Sequence, residues 1–173
     1  MDITDKEAVK NVITGTNPDA VIHCSAWIAV DMIEDDNKVV LVREVSVGGT
    51  QNIVDVCKKL DCKMTYIVQT MCLMVREQNT WKQDYKDYKP LNVYSQTKLE
   101  GELAVVSTLE KYNTVRIAWV FGLNSKNFIK AMINIGKTHD TVRMVYDQIG
   151  TPTCTLNLIR LLLESDFTPF PTW

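Results

Sequence analysis

The sequence predicts an open α/β fold, a parallel sheet covered by helices, in a single domain spanning residues 1–173. Two observations predict it. Short β-rich runs alternate with longer helical patterns, in the order helix, strand, helix, strand, helix, strand, helix, strand, helix, and strands spaced by helix-length segments close as right-handed crossover units. The first of those runs is also a short apolar stretch bounded by turn residues, which suits a strand covered on both faces. A length of 173 residues argues against two domains. At 46% hydrophobic and 23% charged residues, the chain lies far from the composition of disordered segments.

Each element has a local reason. Thr4-x-x-Glu7 has the form of a capping box, after which Ala8, Val9, Val12 and Ile13 form an apolar stripe that Gly15 and Pro18 close. Ala20 to Ala26 reads as a strand buried on both faces. Asp31, Glu34, Asp35 and Asp36 suit a helix start, and a helical pattern runs from about Met32 to Leu60. Gly48-Gly49 interrupts it and marks a bend or a close helix-to-sheet approach. Lys63 to Val68 is the next strand, followed by a polar excursion from Gln69 to Pro90. Asn92 caps a helix to about Leu109, Thr114 to Val120 is a strand, and Ser125 to Ile135 a helix. Val142 to Val145 is the last expected strand, Thr155 to Glu164 the last helix, and the proline-rich tail from Phe167 lies at the surface.

Composition also excludes function classes. A net charge of -2 and dispersed lysines give no electropositive field, so nucleic acid is not expected as a partner. The sequence has no apolar run long enough to span a membrane and begins with no basic, apolar leader, which predicts a soluble, cytoplasmic protein. Five cysteines without a C-x-x-C pair read as free thiols, with Cys24 and Cys57 as small buried hydrophobes. Two histidines without a ligand cluster give no metal site. His23, inside an apolar strand, reads as a core histidine satisfied by a hydrogen bond.

Ligands of open α/β sheets bind beyond the carboxyl ends of the strands. Tyr94 and Lys98, four residues apart near a helix start, share a face that can look toward Thr70 at such an end. A neighbouring ammonium lowers the pKa of a phenol, which makes Tyr94 a candidate proton donor to a carbonyl, with Thr70 as a second hydrogen-bond donor to the same oxygen. The spacing alone is weak evidence, since a bare Tyr-x-x-x-Lys match is more often a solvated helix pair. Tyr85 and Lys89 share it, but Pro90 disfavours a helix there.

The wider sequence resembles the dTDP-4-dehydrorhamnose reductases over nearly the whole chain. Pro90-Leu91-Asn92-Val93-Tyr94-Ser95-Gln96-Thr97-Lys98-Leu99-Glu100-Gly101-Glu102 is similar to that family's catalytic helix, a long and specific match. Pro18 to Ala26, Ala29-Val30-Asp31, Trp119-Val120-Phe121-Gly122, Asn127 to Lys130 and Asp147 to Thr153 resemble further family segments. The resemblance implies a Rossmann-like fold and hydride transfer from NADP(H), with NAD(H) as the alternative, to the C4 carbonyl of a dTDP-linked nucleotide-sugar. Mg2+ has no signal in the sequence. It implies Tyr94 as proton donor, Lys98 as its tuning residue and ribose anchor, and Thr70 on the reacting oxygen. Asp2, Ile3, Ser25, Ala26 and Ile28 fall at cofactor-contact positions, Val30 and Trp119 at substrate positions. A homodimer is compatible with it.

Departures stand beside the matches. The family opens on a glycine-rich turn whose helix N-terminus receives the cofactor pyrophosphate, and no three of the seven glycines here fit that spacing. The chain therefore reads as lacking the N-terminal glycine-rich β-α unit and most of the C-terminal substrate portion. Gln69-Thr70-Met71-Cys72 replaces the family's Ser-Thr-Asp-Tyr. A non-catalytic homologue, similar to the regulatory subunit of methionine adenosyltransferase, is the alternative.

Overall fold

The structure, a computed structural model, describes residues 1–27, 36–69, 88, 90, 92–124, 126–144 and 150–165. Thr70, Ile28, Val30, the acidic start at 31–35, most of the excursion and the tail from 166 lie outside the described residues. The elements are α1 (Lys6–Thr16), β1 (Ala20–His23), α2 (Asp36–Arg43), a π-helical turn (Glu44–Gly48), α3 (Gly49–Leu60), β2 (Lys63–Gln69), α4 (Val93–Thr108), β3 (Tyr112–Phe121), α5 (Phe128–Gly136), β4 (Pro152–Cys154) and α6 (Thr155–Ser165). The strand order is β1-β2-β3-β4, and β1 with β2, like β3 with β4, pairs in parallel. This is the expected α/β architecture.

Local chemistry moved several boundaries. The cap of α1 is Asp5 rather than Thr4: its carboxylate accepts from the amides of Glu7 and Ala8, both at 3.0 Å. Thr4 instead donates its hydroxyl to Asp2 at 2.8 Å. A carboxylate is the stronger acceptor for a helix N-terminus, which explains the one-residue shift. Asn17 then ends the helix in the left-handed region, at φ 43°. β1 is shorter than expected, and with Ile22 exposed it is not buried on both faces. Residues 142–144 form no strand; the parallel partner of β3 is Pro152–Cys154. Cys24 is exposed rather than buried, whereas Cys57 is buried as expected.

The helical pattern through residues 36–60 is continuous through the glycine pair. Arg43, Gly48 and Gly49 all keep right-handed helical angles, and the local irregularity is the π turn, which follows Arg43 and ends at Gly48. Only Gly49 is there for space: a Cβ at that position would lie 2.6 Å from Ile3 Cδ1.

The chain divides into two compact units, one built within residues 1–116 and the other within 117–165. The first holds the main core, where Val9 and Ile13 of α1 meet Ile53, Val54, Val56 and Cys57 of α3, with Met64, Tyr66 and Val68 of β2 and Leu99 and Val105 of α4. Met64, Thr65, Tyr66 and Val68 are all buried, the near-continuous burial of an interior parallel strand. In the second unit Leu162 is buried, whereas Leu123, Phe128, Ile133 and Leu161 are exposed.

A polar thread runs through the first core. The β1–β2 register sets His23 opposite Tyr66, and their rings stack at 5.3 Å with 30° between planes. Thr50 donates its single hydroxyl hydrogen to the carbonyl of Ser46 in the π turn at 2.7 Å. The 3.0 Å contact between His23 Nε2 and Thr50 Oγ1 must therefore have the imidazole donating. That places a proton on Nε2. Burial, and then the charge of Lys98, lower the pKa of His23 to about 4.

Two outcomes are expected. Gly101 lies inside α4, where alanine would ordinarily add about 0.5–1 kcal/mol. A Cβ there would sit 2.5 Å from the Tyr66 hydroxyl oxygen and 3.2 Å from the Ser46 carbonyl oxygen, and overpacking of that kind costs about 1–3 kcal/mol. Gly101→Ala should thus destabilise in urea titrations, and less so in a Tyr66→Phe background; equal losses in both backgrounds would count against the contact. For His23, the unfolded chain binds the proton below its ordinary value of 6.5 while the fold resists it down to about 4. Stability should therefore be fully present above pH 6.5 and fall as pH drops toward 4. His23→Gln should flatten that part of the pH–stability curve.

Candidate active site

The residues singled out by the catalytic-helix pattern are positioned by a cap. Asn92 sits in extended conformation and its side-chain oxygen accepts from the Ser95 amide at 2.8 Å, which starts α4 at Val93. Tyr94 and Lys98 consequently lie one turn apart on the same side of the helix. Both are buried, at 4% and 3% exposure, so the pair is not a solvated surface pair. Thr97 donates its hydroxyl to the Tyr94 carbonyl at 2.8 Å, which ties down the first turn.

The buried side of α4 is unusually polar, carrying Ser95, Thr97, Lys98 and Glu102 beside Leu99 and Val105. Ion pairs hold the helix in place. Arg43 of α2 donates to Glu100 at 2.7 Å, and Arg116 of β3 donates to Glu102 at 2.6 Å and to the Tyr88 hydroxyl at 3.0 Å. The Arg116–Glu102 pair is itself largely buried, so losing either partner would strand a charge in the core.

Lys98 Nζ lies 5.6 Å from the centroid of the Tyr66 ring. Among the described residues it has no carboxylate and no hydrogen-bond acceptor. Burial brings its pKa down to about 8, which leaves it mostly charged at neutral pH with an accessible amine form. For Tyr94 the expected lowering is not what the structure gives. Burial instead raises the phenol above the usual tyrosine range. Desolvation disfavours the phenolate, so Tyr94 holds its proton.

The other sequence candidates are scattered more widely. Asp2 is exposed, and its carboxylate accepts from the Thr4 amide at 2.9 Å and the Thr4 hydroxyl, bonds that lower its pKa. Ile3 is a core residue under Gly49, and its carbonyl accepts from Asn52 at 3.0 Å. A cleft of about 240 Å³ beside them is lined by Thr4, Glu44, Gly48 and Asn52. Ser25 is exposed and Ala26 half-buried, just past the carboxyl end of β1. Thr70, Ile28 and Val30 lie outside the described residues.

Trp119 belongs to the second unit, where it is the extra residue of a bulge: Ala118 pairs with Pro152 and Val120 with Thr153. Its φ of 44° is a strained conformation for a bulky side chain, and the residue is 46% exposed. Strain of this kind concentrates at ligand-binding positions. A Cβ on Gly150 would come within 3.1 Å of the indole, so glycine at 150 leaves room for the ring. Periodicity in the sequence carried no signal for the bulge. Nor did it distinguish Tyr66, which reads simply as one more β-former in a buried strand.

Comparison with known proteins agrees with this arrangement. The family model of the RmlD substrate binding domain matches residues 1–165. The dTDP-4-dehydrorhamnose reductase of Mycolicibacterium smegmatis is 31% identical over 164 residues, which cover 94% of this chain and 49% of that protein. A dTDP-4-keto-6-deoxy-D-glucose reductase of Streptomyces niveus is 29% identical over 94% of this chain and 56% of its own length. Among solved structures, a dTDP-4-dehydrorhamnose reductase from Bacillus anthracis in complex with NADP superposes with a TM-score of 0.91 at 28% identity, covering 98% of this chain and 60% of that one. One from Clostridium acetobutylicum gives 0.88 at 34% identity, over 95% and 57%. The chain thus spans about half the length of the curated relatives it matches. With the catalytic-helix residues, the parallel sheet and a family match reaching from Met1 to Ser165, the chain belongs to the RmlD substrate binding domain family.

Proposed function

We propose that this chain provides the proton-donating and sugar-facing part of an NADP(H)-dependent reductase. Its substrate is a dTDP-linked 4-keto-6-deoxysugar of the dTDP-4-dehydro-L-rhamnose type, reduced at the C4 carbonyl. The observation that carries this reading is the buried Tyr94–Lys98 pair, one turn apart on a capped helix.

The residues fit the nicotinamide-ribose end of a dinucleotide cofactor. An ammonium buried with no anion or acceptor beside it among the described residues is costly, and the hydroxyls of a cofactor ribose would complete it. When bound, NADPH supplies the hydride. The chain's own groups supply the rest. Tyr94 delivers its phenolic proton to the carbonyl oxygen as charge builds there, and the Lys98 ammonium stabilises the phenolate left behind. Thr70 acts as a second donor to that oxygen, and the exposed indole of Trp119 offers a stacking face to a sugar or base. By the family pattern, Asp2, Ile3, Ser25, Ala26 and Ile28 would contact the cofactor and Val30 the substrate. The described cysteines are free thiols, consistent with action in the reducing cytoplasm.

NADPH at millimolar concentration should raise the melting temperature of the chain, because selective binding to the native state stabilises it. An unmoved melting curve would remove the reading. With the keto-sugar present, Tyr94→Phe should cut NADPH oxidation by about 100- to 10,000-fold while leaving the thermal shift intact. Undiminished turnover in that variant would exclude Tyr94 as the acid.

A further inference from the structure

We propose that Tyr66 is a positioning residue for Lys98, its ring face being the seat on which the buried ammonium rests. The ammonium lies 5.6 Å from the ring centroid, within the range where a cation is attracted by the negative face of an aromatic ring. That attraction is strongest where water is excluded, and Tyr66 is fully buried while Lys98 is 3% exposed. Met64 and Val68, two residues away on either side, are fully buried aliphatic residues of the same strand. An aliphatic residue at 66 would fill the same core yet offer the ammonium nothing.

The ring is held from two directions. His23 stacks on it from β1, itself fixed through Thr50 to the π turn. On α4, Gly101 leaves so little room that a Cβ would meet the Tyr66 hydroxyl, so helix and ring approach as closely as packing allows. The titratable groups around Lys98 are accounted for on each element packed with α4. His23 on β1 is neutral, Tyr66 is the seat on β2, and Tyr94 and Glu102 share the helix with Lys98. Glu102 is engaged by Arg116 of β3, and Arg43 of α2 by Glu100. On α3, Asp55 pairs with Lys6, Lys58 and Lys59 are exposed, and burial keeps the Cys57 thiol neutral; Glu44 of the π turn lines the cleft beside Thr4 and Asn52, and Lys38 of α2 and Lys63 of β2 are partly exposed. The aromatic face is therefore the feature near Lys98, among the described residues, that favours its charged form against burial.

This role rests on the reductase reading for its purpose, but it can be tested without turnover. Lys98 is titrated by the NMR shifts of its ε-carbon and ζ-nitrogen, the signal being assigned by its loss in Lys98→Met. Tyr66→Phe keeps the ring face and should leave the titration midpoint nearly in place. Replacing Tyr66 by phenylalanine analogues with one, two and three ring fluorines drains the face of negative charge at nearly constant shape. The midpoint should fall stepwise, by about one pH unit across the series. Tyr66→Leu should lower it at least as far; should that variant fail to fold, the fluorinated series decides alone.

A midpoint unchanged along the series would overturn the proposal, because a purely structural ring is indifferent to its quadrupole. A shift in Tyr66→Phe as large as in the trifluorinated variant would overturn it equally, assigning the effect to the hydroxyl. The two readings separate cleanly. A flat series with an intact NADPH thermal shift removes the seat and keeps the reductase; a sloping series with no thermal shift does the reverse.

Discussion

The approach of α4 to β2 at Gly101 is the constraint from which the first unit is built. A helix carrying a buried lysine can lie against a sheet only if the ammonium finds something to rest on and the backbones come close enough to shut out water. The missing side chain at Gly101 provides the closeness, and the Tyr66 ring provides the resting place. Neither would suffice alone. A close helix over an aliphatic strand would leave the charge with nothing, and an aromatic strand under a distant helix would leave it to solvent.

The neighbouring features follow from that contact. His23 is neutral because burial and the nearby Lys98 charge disfavour a second cation, and the Thr50–Ser46 hydrogen bond selects the Nε2-protonated tautomer. The π turn is the source of the carbonyl that receives the Thr50 hydroxyl and also faces Gly101. A local irregularity in one helix thereby supports the packing of another. Tyr94, on the same helix as Lys98, inherits the dry environment, and burial secures its proton. Chemistry and packing are the same arrangement seen from two sides: the desolvation that costs stability is what keeps the phenol protonated and the ammonium poised.

The second unit is organised differently. Its strand β3 carries the bulged Trp119, and its helices α5 and α6 leave several large apolar side chains exposed. The strain at Trp119 and the room left by Gly150 give the indole an orientation that a regular strand would not.

The sequence by itself determined the alternation of helices and strands, the cap at Asn92 and the family motif around Tyr94 and Lys98. Each of these is written in residues close together along the chain. It also indicated a satisfied core histidine at 23, because an apolar strand admits such a residue only with a partner. Only the tertiary structure decided what Lys98 rests on, which tautomer His23 adopts, and in which direction Tyr94 titrates. These depend on groups up to several tens of residues apart being brought together, and on a balance between desolvation and charge that spacing cannot weigh. Helix spacing alone predicted a lowered phenol pKa, since it registers the neighbouring ammonium but not the loss of water. The strand partner of β3 escaped for a related reason: three residues become a strand through the neighbour they pair with, and local pattern does not name that neighbour.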